Sequence, residues 1–154
     1  MKTEGININE LSLGSYVLCF DAQDMAVCHV IEITRDGRIG AKILRTTEFG
    51  KRLDVGHTET FPADNVHGLS CRDGNLKSLG FVNSDERGWK LVYWHGEDMK
   101  LFYRYDNQKR VSSFRFKARH RKSYVRISCR YIHELQNIMR FLTGGELEFE
   151  YKSM

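Results

Sequence analysis

Basic side chains crowd one segment of this chain. Between Arg104 and Arg130 stand ten Lys or Arg residues and a single acid, Asp106, a local charge of +9. The chain as a whole carries +4, which leaves −5 for the remainder. A local excess of this kind, rather than the overall balance, is what attracts a polyanion. Arg115 and Lys117 alternate with Phe114 and Phe116, and Arg126, Ser128 and Arg130 alternate with Val125, Ile127 and Cys129. That period of two predicts two antiparallel strands, each with one apolar face and one basic or polar face. His120, Arg121, Lys122 and Ser123 form a basic turn between them, and Tyr103, Tyr105 and Tyr124 offer rings on neighbouring strands. Lys and Arg neutralise phosphates and release counterions, and aromatic rings stack on bases. The nucleic-acid-binding set predicted on this basis is Arg115, Lys117, Arg119, Arg121, Lys122, Tyr124, Arg126 and Arg130. The plainer reading of the same residues is a solvated sheet face that discourages edge pairing.

Other chemistries lack a required residue. His133-Glu134 opens like the zinc-protease helix His-Glu-x-x-His, but position 137 is Asn, so the second imidazole one turn on is missing. His133 is expected to make a partly buried polar contact where a helix meets a sheet. Cys19, Cys28, Cys71 and Cys129 contain no Cys-x-x-Cys pair. Cys19 and Cys28 can approach across a hairpin, but a zinc site needs four convergent ligands, so packing as small hydrophobes is expected. There is no glycine-flanked nucleophile and no phosphate loop ahead of a helix. Glu97-Asp98 reads as a turn. We therefore expect a non-enzymatic protein with no cofactor and no metal.

The elements that must position the basic residues follow from the chain in order. Short strands are predicted at Ser15–Phe20, Met25–Thr34, Ile39–Arg45, His57–Phe61 and Val66–Ser70, with an Asp36-Gly37 hairpin turn and a single turn at Pro62–Asn65. Five such strands predict a small SH3-like β-barrel over residues 1–72, because curling the sheet reduces its open edges. Asp73–Phe81 predicts a brief helical turn ended by Gly80. Strands at Trp89–Trp94, Met99–Tyr105, Val111–Ala118 and Tyr124–Arg130 then predict an antiparallel meander. Tyr131, Leu135, Ile138, Met139 and Leu142 form the apolar stripe of a helix stopped by Gly144-Gly145. That helix is expected to cover the apolar face of the last strands, within a second subdomain at 73–154. Glu146–Tyr151 reads either as a short edge strand or as a frayed tail. The fold class expected is α+β, mostly β.

With 154 residues, 41% hydrophobic and 29% charged, the chain can bury a core in one domain or two small subdomains. No apolar run reaches the roughly 20 residues a bilayer span needs. The first residues lack a signal-peptide core, which predicts a cytoplasmic protein with reduced cysteines.

Three phrases carry a resemblance. Leu11-Ser12-Leu13-Gly14-Ser15-Tyr16-Val17, then Asn75-Leu76-Lys77-Ser78-Leu79-Gly80-Phe81, then Tyr131-Ile132-His133-Glu134-Leu135-Gln136-Asn137 with Phe141-Leu142-Thr143-Gly144-Gly145-Glu146-Leu147 stand in this order. Together they resemble a family of small uncharacterised proteins of phages and mobile elements in Bacteroides and related gut bacteria. The C-terminal phrase is the most specific. Ser15 stands where that family often has Asn, the glycine is doubled at Gly144-Gly145, and the loop from Thr46 to Gly56 is longer. The resemblance implies the same layout of barrel, linker helix, meander and final helix, and a bacterial host cytoplasm. It brings no catalytic residues. The partners expected are nucleic acid or, alternatively, an acidic host protein engaged or inhibited by an interaction module. No membrane partner is expected, and the oligomeric state is left open.

Overall fold

Among the described residues, about half lie in two antiparallel sheets, each of five strands. The computed structural model describes residues 6–22, 24–46, 53–95, 99–118 and 125–143. They fall into two units: one runs up to Leu69 and resumes at Tyr131, and the other is Ser70–Arg130. The expected class, α+β and mostly β, is what the chain adopts.

In the first unit, β1 (Tyr16–Asp21), β2 (Asp24–Ile33), β3 (Arg38–Thr46), β4 (Thr58–Pro62) and β5 (Val66–Gly68) lie in the order β4-β3-β2-β1-β5. A 3₁₀ turn at Ala63–Asn65 joins the last two. Among the described residues no ladder joins β4 to β5, so the sheet is not closed by hydrogen bonds. Register shifts at Val27/Cys28 and Val30/Glu32 mark two bulges in the β2–β3 ladder, with the extra residue on β3 (Leu44) at the first and on β2 (Ile31) at the second. The core gathers Val17, Cys19, Cys28, Val30, Ile39 and Ile43, all at most 1% exposed. All four cysteines are buried free thiols. A hydrogen bond with the Cys28 side chain, reinforced by burial, pushes the Cys19 thiol well above its ordinary range, so it packs rather than reacts.

The β2–β3 turn forms as Asp36-Gly37 predicts, with Gly37 at φ +83°. Thr34 Oγ1 donates to the Asp36 carboxylate, which holds that carboxyl below the usual range. The Thr34 N–H donates to the Arg38 carbonyl at 2.9 Å and closes the loop.

The final helix, α2 (Ile132–Thr143), corrects one expectation. It belongs to the first unit, and β1 is the strand it meets most closely. Its buried residues are Ile132, His133, Leu135, Gln136 and Met139, while Tyr131 and Ile138 are only half-buried. The polar positions explain the choice of partner. Gln136 Oε1 accepts from the Tyr16 N–H and its Nε2 donates to the Gly14 carbonyl, both at 2.9 Å. Asn137 Nδ2 donates to the Glu10 carbonyl at 2.8 Å, and an Arg140 guanidinium N–H donates to the Leu13 carbonyl at 2.9 Å. His133 Nε2 lies 3.4 Å from Glu10 Oε2, and its ring stacks on Tyr131. These side chains supply partners to the irregular backbone before β1, where a ladder gives none.

In the second unit, α1 (Asp73–Ser78) precedes β6 (Val82–Asn83), β7 (Leu91–His95), β8 (Met99–Asp106), β9 (Val111–Ala118) and β10 (Val125–Cys129), ordered β10-β9-β8-β7-β6. The meander is as expected, with the short strand β6 added ahead of it. Leu91, Leu101, Tyr103, Phe114, Ile127 and Cys129 line its buried face. Leu76 and Leu79 are buried in the same unit, and the Phe81 ring lies 5.2 Å from Tyr93 and 6.3 Å from Phe114. Cover for the apolar face therefore comes from the segment around α1. Tyr103 Oη and Ser112 Oγ both donate to the Cys71 carbonyl, at 3.1 and 2.7 Å, fixing that segment to β8 and β9.

Among the described residues no helix is long and apolar enough to cross a membrane, and no group of three or more His, Cys, Asp or Glu could hold a metal ion. The Glu146–Tyr151 stretch, expected as an edge strand or a frayed tail, the Gly144-Gly145 stop and the Glu97-Asp98 turn lie outside the described residues.

Candidate nucleic-acid interface

The register of the second sheet decides which side chains share its outer face. Residues directly opposite in an antiparallel ladder point the same way. Arg126 pairs with Arg115, which pairs with Phe102, which pairs with Val92. The next row is Lys117, Lys100 and Trp94, and the row on the other side is Ser128, Ser113 and Arg104. One face thus carries Arg115, Lys117 and Arg126 of the predicted set together with Lys100 and Arg104. Lys117, Arg126 and Ser128 are exposed and Arg115 is half-buried. Arg130 is exposed just past the end of β10. Arg119, Arg121, Lys122 and Tyr124, with His120, lie outside the described residues.

The face is stiffened by its turns. Asp106, the one acid in the basic segment, accepts from the N–H groups of Gln108 at 3.0 Å and Lys109 at 3.2 Å. Its charge is thus used to fold the β8–β9 turn, beside Arg110 at φ +51°.

The aromatic part of the prediction needs correction. Tyr103 and Tyr105 have the parity of Leu101 and point to the opposite side of the sheet. Tyr103 is 1% exposed. Burial pushes its phenol up to about 12, against a smaller lowering by the Ser112 hydrogen bond, and burial raises Tyr93 as well. The rings on the basic side are Trp94, Phe102 and Trp89 instead. Lys100 Nζ sits 4.5 Å from the Trp94 centroid and 4.7 Å from that of Phe102, and pairs with Glu86 Oε1 at 2.9 Å. The Arg104 guanidinium lies 5.0 Å from the Trp89 ring, which is 5.9 Å from Phe102. These are cation–π distances.

Comparison with protein-family models, with curated proteins and with solved structures gives no match.

The signal for the missed residues was present. In β8, Lys100, Phe102 and Arg104 alternate with Leu101, Tyr103 and Tyr105, the same period of two that marks β9. Carrying the parity from β9 back to β8 would have put the tyrosines inside and Lys100 and Arg104 outside.

Proposed function

We propose that this protein is a non-enzymatic accessory factor that binds nucleic acid through the outer face of the β6–β10 sheet. The observation that carries the reading is a like-charge juxtaposition. Arg115 stands directly opposite Arg126, whereas Lys100, directly opposite Lys117, is already paired with Glu86. Like charges facing each other across a ladder destabilise a sheet, and a row of phosphates placed over them removes that cost.

The resemblance in the three phrases supports membership of the Bacteroides-type phage and mobile-element family, and with it a bacterial cytoplasm. On the same reading the first unit is an SH3-like barrel. Its strand order and the 3₁₀ turn between β4 and β5 support that assignment.

The test is binding of the full chain to single- and double-stranded DNA and RNA across a salt series. Binding should weaken steeply with salt, with a slope of about −0.7 to −0.9 per phosphate contacted. Changing Arg115, Lys117 and Arg126 together to Ala should abolish it. Absence of binding at low salt would remove the reading.

A second reading, an interaction module that engages or inhibits a host protein, is favoured by a different feature. Phe141 is 86% exposed on α2, and Leu13, whose carbonyl accepts from Arg140, is 61% exposed. A partner retained from nuclease-treated lysate, and lost on Phe141→Ser, would support this reading. Enrichment that vanishes with nuclease would support the first.

A further inference from the structure

We infer that the exposed indole of Trp94 is a base-stacking residue, which makes this face a site for single-stranded polynucleotide rather than duplex. The inference rests on the nucleic-acid reading above and adds the strand class. The outer face is graded. Its β7–β8 half carries the rings of Trp94 and Phe102 along with Lys100 and Arg104, and its β9–β10 half carries Arg115, Lys117 and Arg126 with no ring among them. Phosphates alone would call for the cations and not for an exposed indole. A duplex presents a phosphate surface and keeps its base faces stacked inside, so it gives a flat aromatic patch nothing to hold. A single strand can lay its backbone along the β9–β10 cations and turn a base onto the exposed indole.

The local geometry suits that task. Trp94 is 54% exposed, whereas Phe102 beside it on the next strand is 3% exposed. Phe102 forms the floor and Trp94 the open platform. Lys100 is held over both rings and tied to Glu86, so the indole is braced on one side before any ligand arrives. Such bracing lowers the ordering cost of binding. Arg115 and Lys117 are two residues apart on β9, about 7 Å along the strand, so each can meet a successive phosphate of an extended chain. Stacking tolerates any base, so little sequence preference is expected.

The chain has two tryptophans, so Trp89→Phe leaves Trp94 as the only indole reporter. In that background, oligothymidylate at low salt should quench the fluorescence, and a hairpin duplex should not. Trp94→Leu should weaken oligothymidylate binding roughly tenfold, measured by anisotropy of a labelled strand, and leave duplex binding unchanged. Trp94→Phe should restore most of it, which separates stacking from loss of fold, and oligouridylate should behave as oligothymidylate does. Equal binding of duplex and single strand, with Trp94→Leu affecting neither or both alike, overturns the inference while the phosphate-binding reading stands. Absence of any oligonucleotide binding overturns both.

Discussion

Arg115 and Arg126 are direct cross-strand neighbours on the outer face of the β9–β10 ladder. Replacing Arg126 by Thr removes a repulsion and puts a good strand former at an exposed position. We expect the variant to gain roughly 0.2–1 kcal/mol of stability in urea unfolding. Its affinity for polynucleotide should fall, and its salt slope should shrink by about 0.7–0.9. Opposite movement of stability and binding is the signature of a functional charge. A loss of stability, or binding untouched, argues for a merely solvated face.

Gln136 bridges two backbone groups 120 or more residues away in sequence. Gln136→Leu keeps a similar volume but removes the acceptor for the Tyr16 N–H and the donor for the Gly14 carbonyl. We expect a cost of about 2 kcal/mol, since both groups sit at a buried junction. Gln136→Glu keeps the acceptor but sets a carboxylate against the Gly14 carbonyl, so it should not rescue near neutral pH. Chemical denaturation of the three proteins checks this, and a Glu variant as stable as wild type would remove the donor role.

Tyr103 gives the second sheet a sensitivity to alkali. Its folded-state value is raised by burial from 10.0 to about 12, so the folded protein holds its proton more tightly than the unfolded chain does. The corresponding stabilisation is complete below pH 10 and is lost as pH rises toward 12. The denaturation midpoint should therefore fall across that window. Tyr103→Phe should flatten the fall while losing about 1 kcal/mol at neutral pH, because Ser112 Oγ still donates to the Cys71 carbonyl. A midpoint equally steep in the variant would mean other groups control the alkaline limb.

Gly68 in β5 lies under the ring of Tyr131, and a Cβ there would overlap the ring carbons. Gly68→Ala should cost about 1–3 kcal/mol, the range for forcing extra volume into a packed contact. Adding Tyr131→Ala should recover part of that loss, because the obstacle is then gone. Additive losses in a double-mutant cycle would show that the two positions are independent.

Strands with a clean period of two were readable from residues alone, and β9 was predicted at its observed limits, Val111–Ala118. The Asp36-Gly37 turn was readable because glycine tolerates the positive φ that the chain adopts at Gly37. The partner of α2 was not. An apolar stripe says which side of a helix is buried, not which sheet buries it. The deciding residues, Gln136, Asn137 and Arg140, look like solvent-facing polar positions until the carbonyls they reach are known. Of the candidate site, the cations of β9 and β10 were legible. The rings beside them were not, because Tyr is the expected stacking residue while parity turns Tyr103 inward and Trp94 outward.

The order of the two units along the chain bears on how the nascent protein folds. The first sheet is synthesised first, yet Gln136 and Arg140, which bind the backbone before β1, emerge only after the whole of Ser70–Arg130. At ordinary translation rates that interval is on the order of several seconds. Ser70–Arg130 is contiguous, and the Cys71 N–H donates to the Arg130 carbonyl at 3.0 Å, so its two ends meet. It can therefore complete its own structure while the older sheet still waits for α2. The proposed polynucleotide-binding surface is thus free to assemble on the ribosome before the unit that was begun earlier is finished.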